Sequence, residues 1–339
     1  MLGGLFLAGL ALAGCSEAPQ TALHPQGPVA RMELGLMAES LWIMLGIFVI
    51  VLGLLIYALA RFRERPGDTH TPKQVEGSLP LELLWTVVPF ILLIIIAVPT
   101  ISASFALAAP QPAALDVTVV GHQWWWEFDY PGLGIVTADE LHIPVGTKVQ
   151  LTLESADVLH SFWVPALAGK EDTVPGHPNM MWFEATAPGT YPGQCAEFCG
   201  TSHSLMRMLV VAQSQAQFGA WVAGFQHPNS QPSSPQAQQG AKLFQTYCAT
   251  CHVIDTTGTV PTLTASQTGP LGFPIAPNLT DLSAHQTLAA ATLANNPVDL
   301  VQWINNAGLL MPDVIMPTFQ GVLTQTQEQD LAAYLEGLT

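Results

Sequence analysis

Two long apolar runs dominate the first third of the chain. The first covers residues 41–60 without a charged residue, and the second covers residues 83–109, interrupted only by small residues, Pro89 and Pro99. Each run reaches the roughly 20 residues that a helix needs to cross a bilayer. Core helices rarely stay uncharged over this length, so the pattern predicts a transmembrane α-helical hairpin within residues 15–110 rather than two buried core helices.

The pattern changes after residue 110. Short β-branched runs separated by turn signals follow, and they predict a small all-β sandwich over residues 111–225. Residues 226–239 are rich in Pro, Ser, Gln and Asn, which is typical of a flexible, partly extended linker. Residues 240–339 are then predicted to form a separate domain that opens with a short helix.

The charged residues orient the hairpin. Only 10% of the chain is charged, against about 25% in a soluble domain. Arg61, Arg63, Arg65 and Lys73, four of the nine basic residues, lie between the two apolar runs. The positive-inside rule places this loop in the cytoplasm and both chain ends on the outer, periplasmic side of a bacterial plasma membrane.

The outer part is strongly acidic. From residue 110 onward there are 18 acidic and 4 basic residues. This balance argues against a nucleic-acid partner and permits electrostatic steering of a basic partner protein. An acidic habitat would explain the same composition equally well.

The N-terminus suggests a lipid anchor. The apolar residues 1–14 end in Leu12-Ala13-Gly14 before Cys15, which resembles a bacterial lipoprotein signal. We therefore expect cleavage after residue 14 and lipid on the Cys15 thiol. The usual basic residues of a signal peptide are absent from residues 1–14, and an unprocessed third apolar segment is the alternative.

The other four cysteines form two short pairs beside histidine and methionine. Two disulfides are the default expectation in an oxidising compartment. Cys195 and Cys199 are followed, however, by His203 and Met206, and His160 is a fifth candidate ligand. Two thiolates can bridge two copper ions, each of which then takes one imidazole and one weaker ligand. A single blue-copper site would need only one Cys, and a zinc site would not use Met.

These residues resemble the CuA motif of cytochrome c oxidase subunit II. The resemblance extends to the aromatic segment 121–126, to residues 165–176 and to the helix start at residues 82–89, so that it covers roughly residues 30–225. It implies a cupredoxin-like sandwich with a binuclear copper centre. The side-chain ligands it implies are His160, Cys195, Cys199, His203 and Met206.

The resemblance assigns further roles. Glu197 would bind copper through its backbone carbonyl, and its carboxylate would help hold magnesium at the contact with subunit I. Trp124 would be the surface aromatic through which electrons enter, and strand alternation predicts that Trp125 is buried opposite its neighbours. Glu82 would lie at the mouth of a proton channel in subunit I, although a carboxylate favoured by the helix dipole is an equal alternative. His177 and Pro192 replace residues that are usually basic in the family, which bears on the subunit I contact.

The C-terminal cysteines carry a different signature. Cys248, Cys251 and His252 form Cys-x-x-Cys-His, the attachment signature of c-type heme, and His252 argues against a thioredoxin-like redox pair. Residues 237–338 also resemble class I cytochromes c, which implies an all-α domain with covalent heme. Met311 and Met316 are both candidates for the second axial ligand. The resemblance favours Met316, with Met311 as a packing residue.

Together the resemblances imply subunit II of a caa-type, proton-pumping cytochrome c oxidase. Electrons from reduced cytochrome c or another periplasmic donor would pass through heme c and CuA to the heme–copper site of subunit I, which reduces oxygen to water. A quinol oxidase subunit would lack the two copper-loop cysteines, and a copper carrier would need no heme. The electron-entry subunit of a CuA-containing nitric oxide reductase is the remaining alternative.

Overall fold

The computed structural model describes residues 20–63, 67, 74, 76–109, 112, 115–255 and 262–338. The chain divides into two compact units, one formed by Arg31–Ala109 and the other by the residues before and after that segment. The predicted signal peptide, Cys15, Arg65 and Lys73 lie outside the described residues.

The two apolar runs form long helices, as predicted. Helix α1 spans Pro28–Arg61 and helix α2 spans Leu79–Ala108, and both are long and apolar enough to cross a membrane. Helix α1 begins before its apolar run because Pro28 has the fixed φ of a first helical turn. Most large apolar side chains along both helices are exposed in the chain itself, as expected for surfaces that lipid covers.

The predicted sandwich consists of two five-stranded sheets, with strand orders β3-β2-β1-β5-β8 and β4-β10-β9-β6-β7. Strand β1 pairs in parallel with β5, and β10 pairs in parallel with β4, so the chain crosses between the sheets. The strands are β1 Leu115–His122, β2 Trp125–Tyr130, β3 Ile135–Ala138, β4 Glu140–Pro144, β5 Val149–Ser155, β6 His160–Trp163, β7 Glu171–Thr173, β8 Asn179–Phe183, β9 Gly189–Cys195 and β10 Arg207–Gln213.

Alternating inward-facing side chains form the core of the sandwich. Trp126 and Phe162 meet edge-to-face in this core, with ring centroids 5.5 Å apart. Both are fully buried, and burial of one such side chain stabilises the fold by about 1.5–3 kcal/mol. Other fully buried members are Phe128, Leu141, Ile143, Leu151, Leu153 and Phe183.

Helix α3, Gln215–Gln226, closes the sandwich. Its start is fixed by a capping box in which the Ser214 side chain accepts a hydrogen bond from the Gln217 backbone. Trp221 on this helix stacks on His142 of β4, with ring centroids 4.5 Å apart. The helix therefore packs with the sandwich, on the N-terminal side of the predicted linker.

The C-terminal domain, which the resemblance predicts to be a cytochrome domain, is built on helices α4 Pro235–Tyr247, α5 Pro297–Leu310 and α6 Gln325–Leu335, with a small hairpin of β11 Thr287–Leu288 and β12 Leu293–Ala294. Helix α5 is kinked at Asn306. Helices α4 and α6 cross at Gly240, where a Cβ atom would lie only 1.9 Å from the carbonyl oxygen of Asp330. Only glycine permits this close crossing.

The segment between α3 and α4 contains fewer coil residues than the sequence indicated. Helix α4 begins at Pro235, inside the segment 226–239 that the composition predicted as linker. The Ser234 side chain accepts a hydrogen bond from the Ala237 backbone, and Pro235 occupies the first turn. The same polar and proline residues that are typical of linkers also start helices, so composition alone does not separate the two.

Candidate copper and heme sites

The copper-loop residues are brought together by one strand pair. Strand β9 ends at Cys195 and pairs antiparallel with β10, and the Cys195 backbone N–H donates to the Met206 carbonyl at 2.9 Å. The loop 195–206 is thereby closed at its base. Strand β6 lies on the other side of β9, which brings His160 at the start of β6 beside Cys195.

Each sulfur atom faces one imidazole nitrogen. The two sulfur atoms of Cys195 and Cys199 lie 3.7 Å apart. Cys195 Sγ lies 4.0 Å from His160 Nδ1, and Cys199 Sγ lies 3.5 Å from His203 Nδ1. The thioether sulfur of Met206 lies 3.7 Å from Cys199 Sγ. Each thiol therefore has one imidazole beside it, a set of donors that would suit two copper ions.

The carbonyl oxygen of Glu197 completes the set on the opposite side. It lies 3.2 Å from Cys195 Sγ, while the Glu197 carboxylate lies at the surface, 4.0 Å from Lys170 Nζ. The sulfur separation is far longer than the about 2.05 Å of a disulfide bond. The hydrogen bond between the two thiols lowers the pKa of Cys195 and raises the pKa of Cys199. Soft thiolate, thioether and imidazole donors in one buried cluster fit copper.

Asp157 orients the first imidazole. Its Oδ1 atom lies 2.8 Å from His160 Nε2, and its Oδ2 atom accepts the Gln123 backbone N–H at 2.7 Å. A carboxylate that is hydrogen-bonded to Nε2 favours the tautomer with its proton on Nε2. The Nδ1 lone pair then faces the sulfur atom of Cys195. This role of Asp157 was not predicted from the sequence, although its i, i+3 spacing from His160 is a signal for it.

The tryptophan run departs from the predicted alternation. Trp124 lies in the turn before β2, and the strand begins only at Trp125. Trp126 is therefore the fully buried residue, whereas Trp125 is half-buried and stacks on His122 with ring centroids 4.0 Å apart. The expectation that Trp125 is the buried structural tryptophan is wrong, because the turn shifts the alternation by one residue.

Trp124 is covered rather than exposed. Its side chain is only 6% exposed, and its Nε1 donates to the Cys199 carbonyl at 3.3 Å. Gln123 Nε2 donates to the same carbonyl at 2.6 Å. The expected surface position of Trp124 is thus wrong for this chain. Its side chain lines a cavity that residues of the C-terminal domain also line.

That cavity contains the Cys-x-x-Cys-His signature. It has a volume of about 380 Å³ and is lined mainly by apolar side chains together with Cys248, Cys251 and His252. The His252 Nδ1 atom lies 2.8 Å from the Pro277 carbonyl oxygen, so Nδ1 carries the proton and Nε2 is available to a metal. Burial lowers the pKa of His252, which keeps the imidazole neutral. An apolar cavity with two thiols and a neutral imidazole fits a covalently held heme.

Both candidate methionines line this cavity. Met311 follows the end of α5 and is 3% exposed, while Met316 is partly buried against the core of the cytochrome domain. Because both thioethers line the cavity, its geometry does not show which of them binds the heme iron.

We expect Met316 to be the iron ligand, because it lies in the Met-Pro-x-Phe loop before helix α6. Met316→Leu should abolish the long-wavelength charge-transfer band of methionine-ligated ferric heme, whereas Met311→Leu should retain it. Absorption spectra of the two oxidised variants make the comparison. Loss of the band in Met311→Leu alone would reverse the assignment.

Glu82 lies in the first turn of α2 and is exposed in the chain. A carboxylate there is favoured by the helix dipole, and the position is equally compatible with contact to a second subunit.

Three segments of the chain match known protein families. Residues 26–103 match the transmembrane domain of cytochrome c oxidase subunit II, and residues 133–213 match its periplasmic domain. Residues 237–339 match cytochrome c. The matches follow the order of the hairpin, the sandwich and the helical domain.

Whole-length relatives carry the same combination. Cytochrome c oxidase subunit 2 of Alkalihalophilus pseudofirmus is 40% identical over 337 residues, covering 97% of this chain and 94% of the relative. The proteins of that name from Bacillus sp. strain PS3 and Bacillus subtilis are 37% and 33% identical, covering 97% and 98% of this chain and 94% and 96% of their own lengths. The chain therefore belongs to the cytochrome c oxidase subunit II family and carries a C-terminal cytochrome c domain.

Proposed function

We propose that this chain takes electrons from a periplasmic donor at heme c and passes them through a binuclear CuA centre to the heme–copper site of subunit I. As a member of its family, the chain is an electron-transfer subunit of an oxidase that assembles with subunit I and other oxidase subunits. The observation that carries the route is the heme cavity, which is lined by the same Trp124 that donates to the Cys199 carbonyl. In the complete enzyme, this transfer supports proton pumping and the reduction of oxygen to water.

Two sets of residues hold the redox groups in this proposal. When bound, the copper pair and the heme iron each supply one-electron chemistry with little change of geometry. Asp157 fixes the orientation of His160, and the Pro277 carbonyl does the same for His252. The proposed ligands are His160, Cys195, Glu197 through its carbonyl, Cys199, His203 and Met206 for copper, and Cys248, Cys251, His252 and Met316 for covalent heme.

The remaining assignments concern the contact with subunit I. We place magnesium at the exposed Glu197 carboxylate and the mouth of a proton channel at Glu82. His177 and Pro192 stand where the family usually has basic residues, so this contact carries less positive charge in this chain. Lipid on Cys15 and the basic loop after α1 would keep both redox domains on the outer side of the membrane.

Electron paramagnetic resonance of the copper-loaded full chain tests the centre. We expect hyperfine lines from one electron shared equally by two copper nuclei, because two thiolates lie between two imidazoles. Hyperfine lines from a single copper nucleus would contradict a binuclear site. Purification with the large partner subunit, followed by assays with oxygen and with nitric oxide, then separates the oxidase from the reductase alternative.

A further inference from the structure

The cytochrome domain contacts the copper domain, which is the sandwich with its closing helix α3, at the corner between β3 and β4. Glu140 is completely buried there, and its Oε1 atom accepts three hydrogen bonds from the cytochrome domain. The donors are the backbone N–H groups of Gln286 and Thr287, both at 2.8 Å, and the Thr287 hydroxyl at 2.7 Å. Three donors on one carboxylate oxygen make a strong, directional contact.

Asp139 extends the same contact. Its Oδ1 atom accepts the Trp126 backbone N–H at 2.9 Å within the sandwich, and its Oδ2 atom accepts the Ala290 backbone N–H at 3.1 Å from the cytochrome domain. Asp139 has a φ of 60°, a left-handed conformation that aspartate tolerates better than most residues. One carboxylate thus ties the buried strand β2 to the cytochrome domain.

The cytochrome segment that donates these bonds is strained. Ala289, Ala290 and Ala291 have φ values of 51°, 52° and 53°, a left-handed conformation that is unfavourable for alanine. Such a run persists only where surrounding contacts hold it. Asp139 supplies one such contact to Ala290, and Glu140 holds Gln286 and Thr287 just before the run.

The same segment forms part of the wall of the heme cavity. Thr287, Leu288, Ala289 and Ala290 line the cavity, and Leu288 is also buried in the cytochrome core. The segment 286–290 therefore binds the copper domain on one side and faces the heme cavity on the other. A shift of this segment would move the cavity relative to Trp124.

A second set of bonds joins the loop 195–206 of the copper domain to the cytochrome domain. The Thr201 hydroxyl donates to Asp313 Oδ2 at 2.6 Å, and the Ser202 hydroxyl donates to the Pro312 carbonyl at 2.6 Å. The Thr292 hydroxyl donates to the Leu205 carbonyl at 3.1 Å. The cytochrome domain is thus held at two separate places on the copper domain.

We propose that Asp139 and Glu140 are positioning residues for electron transfer within the chain, because they hold segment 286–290 on the copper domain and keep the heme cavity closed against Trp124. The inference rests on the proposed electron route. In this arrangement the cytochrome domain stays docked on the copper domain, instead of moving freely on a flexible linker. Loss of the Glu140 carboxylate would leave the N–H groups of Gln286 and Thr287 without these acceptors, which favours the undocked domain.

The first test measures electron transfer after flash reduction of the heme in the full chain, in buffers of increasing viscosity. The parent rate should not depend on viscosity. Glu140→Ala should shift the docking equilibrium about 10- to 100-fold toward the undocked domain. Electron transfer should then become slower and viscosity-dependent, while the heme and copper spectra stay unchanged. Glu140→Gln should restore part of the rate, because its amide oxygen still accepts hydrogen bonds.

Thr287→Val tests the contact from the cytochrome side, in case Glu140→Ala does not fold. The controls are Glu154→Ala on β5 and Thr246→Val on α4, whose hydroxyl bonds to Lys242 within its own helix. Both controls should transfer electrons at the parent rate. Parent rates without viscosity dependence in both Glu140→Ala and Thr287→Val would overturn the proposal.

A second measurement does not depend on electron transfer. A protease site placed in residues 227–234 allows the chain to be cut between the two domains. After cleavage, the parent cytochrome domain should stay bound to the copper domain, whereas that of Glu140→Ala should separate. Separation of the parent domains would refute fixed docking, whereas bound domains without heme-to-copper transfer would refute the proposed electron route instead.

Discussion

Replacement of Cys199 by serine is expected to abolish the shared-electron copper spectrum and to stop electron transfer through the chain. Cys199 Sγ lies within 3.7 Å of the Cys195 and Met206 sulfur atoms and 3.5 Å from His203 Nδ1, so it contacts both halves of the cluster. A hydroxyl is a poor ligand for copper and cannot bridge two ions as a thiolate does. Removal of a residue that only hydrogen-bonds to a metal ligand lowers metal affinity or activity by about 10- to 100-fold. Loss of a bridging ligand itself should therefore lower the rate of electron transfer by more than roughly 100-fold.

The measurement combines paramagnetic resonance of the copper-loaded chain with stopped-flow oxidation of the heme in the purified oxidase. Ser204→Ala, an exposed substitution in the same loop, is the matched control and should behave like the parent. A Cys199→Ser protein that keeps the parent spectrum and rate would show that this thiol does not bridge the two ions.

Electron transfer from the heme to copper is expected to be independent of protein concentration. The sequence alone predicted a flexible linker of about 14 residues with a span of roughly 20 Å, which would already make the transfer intramolecular. The structure strengthens the expectation, because the cytochrome domain is hydrogen-bonded to the copper domain at Glu140, Asp139 and the copper loop. Since Glu140 and Asp139 are buried, added salt should have little effect on the rate.

Flash reduction of the heme over an approximately tenfold dilution series is the test, with absorbance followed at the copper band. A rate that falls in proportion to dilution would show that the chain's own cytochrome domain does not supply its copper centre. Addition of a soluble donor provides the contrast, because its second-order delivery to the acidic surface should slow as salt screens the attraction. With Trp124 covered, that donor should reduce the heme before the copper.

Features that depend on local spacing were predictable from the sequence. A run of about 20 apolar residues is enough to predict a membrane-spanning helix, because length and polarity decide the matter without reference to a partner. Cys195, Cys199, His203 and Met206 lie on one loop, so their spacing already brings their side chains near one another. The Cys-x-x-Cys-His signature predicts a heme site for the same reason.

Some strand and linker details were not available from local patterns. The turn at Trp124 moved the strand alternation by one residue, and the Ser234 cap started a helix inside a segment of linker-like composition. Both outcomes depend on backbone hydrogen bonds that residue type alone only biases.

The way in which the two redox domains meet depends on contacts between residues that are far apart in the sequence. Glu140 and Thr287 are 147 positions apart, and Asp139 and Ala290 are 151 positions apart, so no spacing rule connects them. In the sequence Asp139 and Glu140 are ordinary acidic residues of an acidic domain. They become docking residues because the fold buries them where segment 286–290 presents its backbone N–H groups, and a buried carboxylate must be matched by donors of this kind.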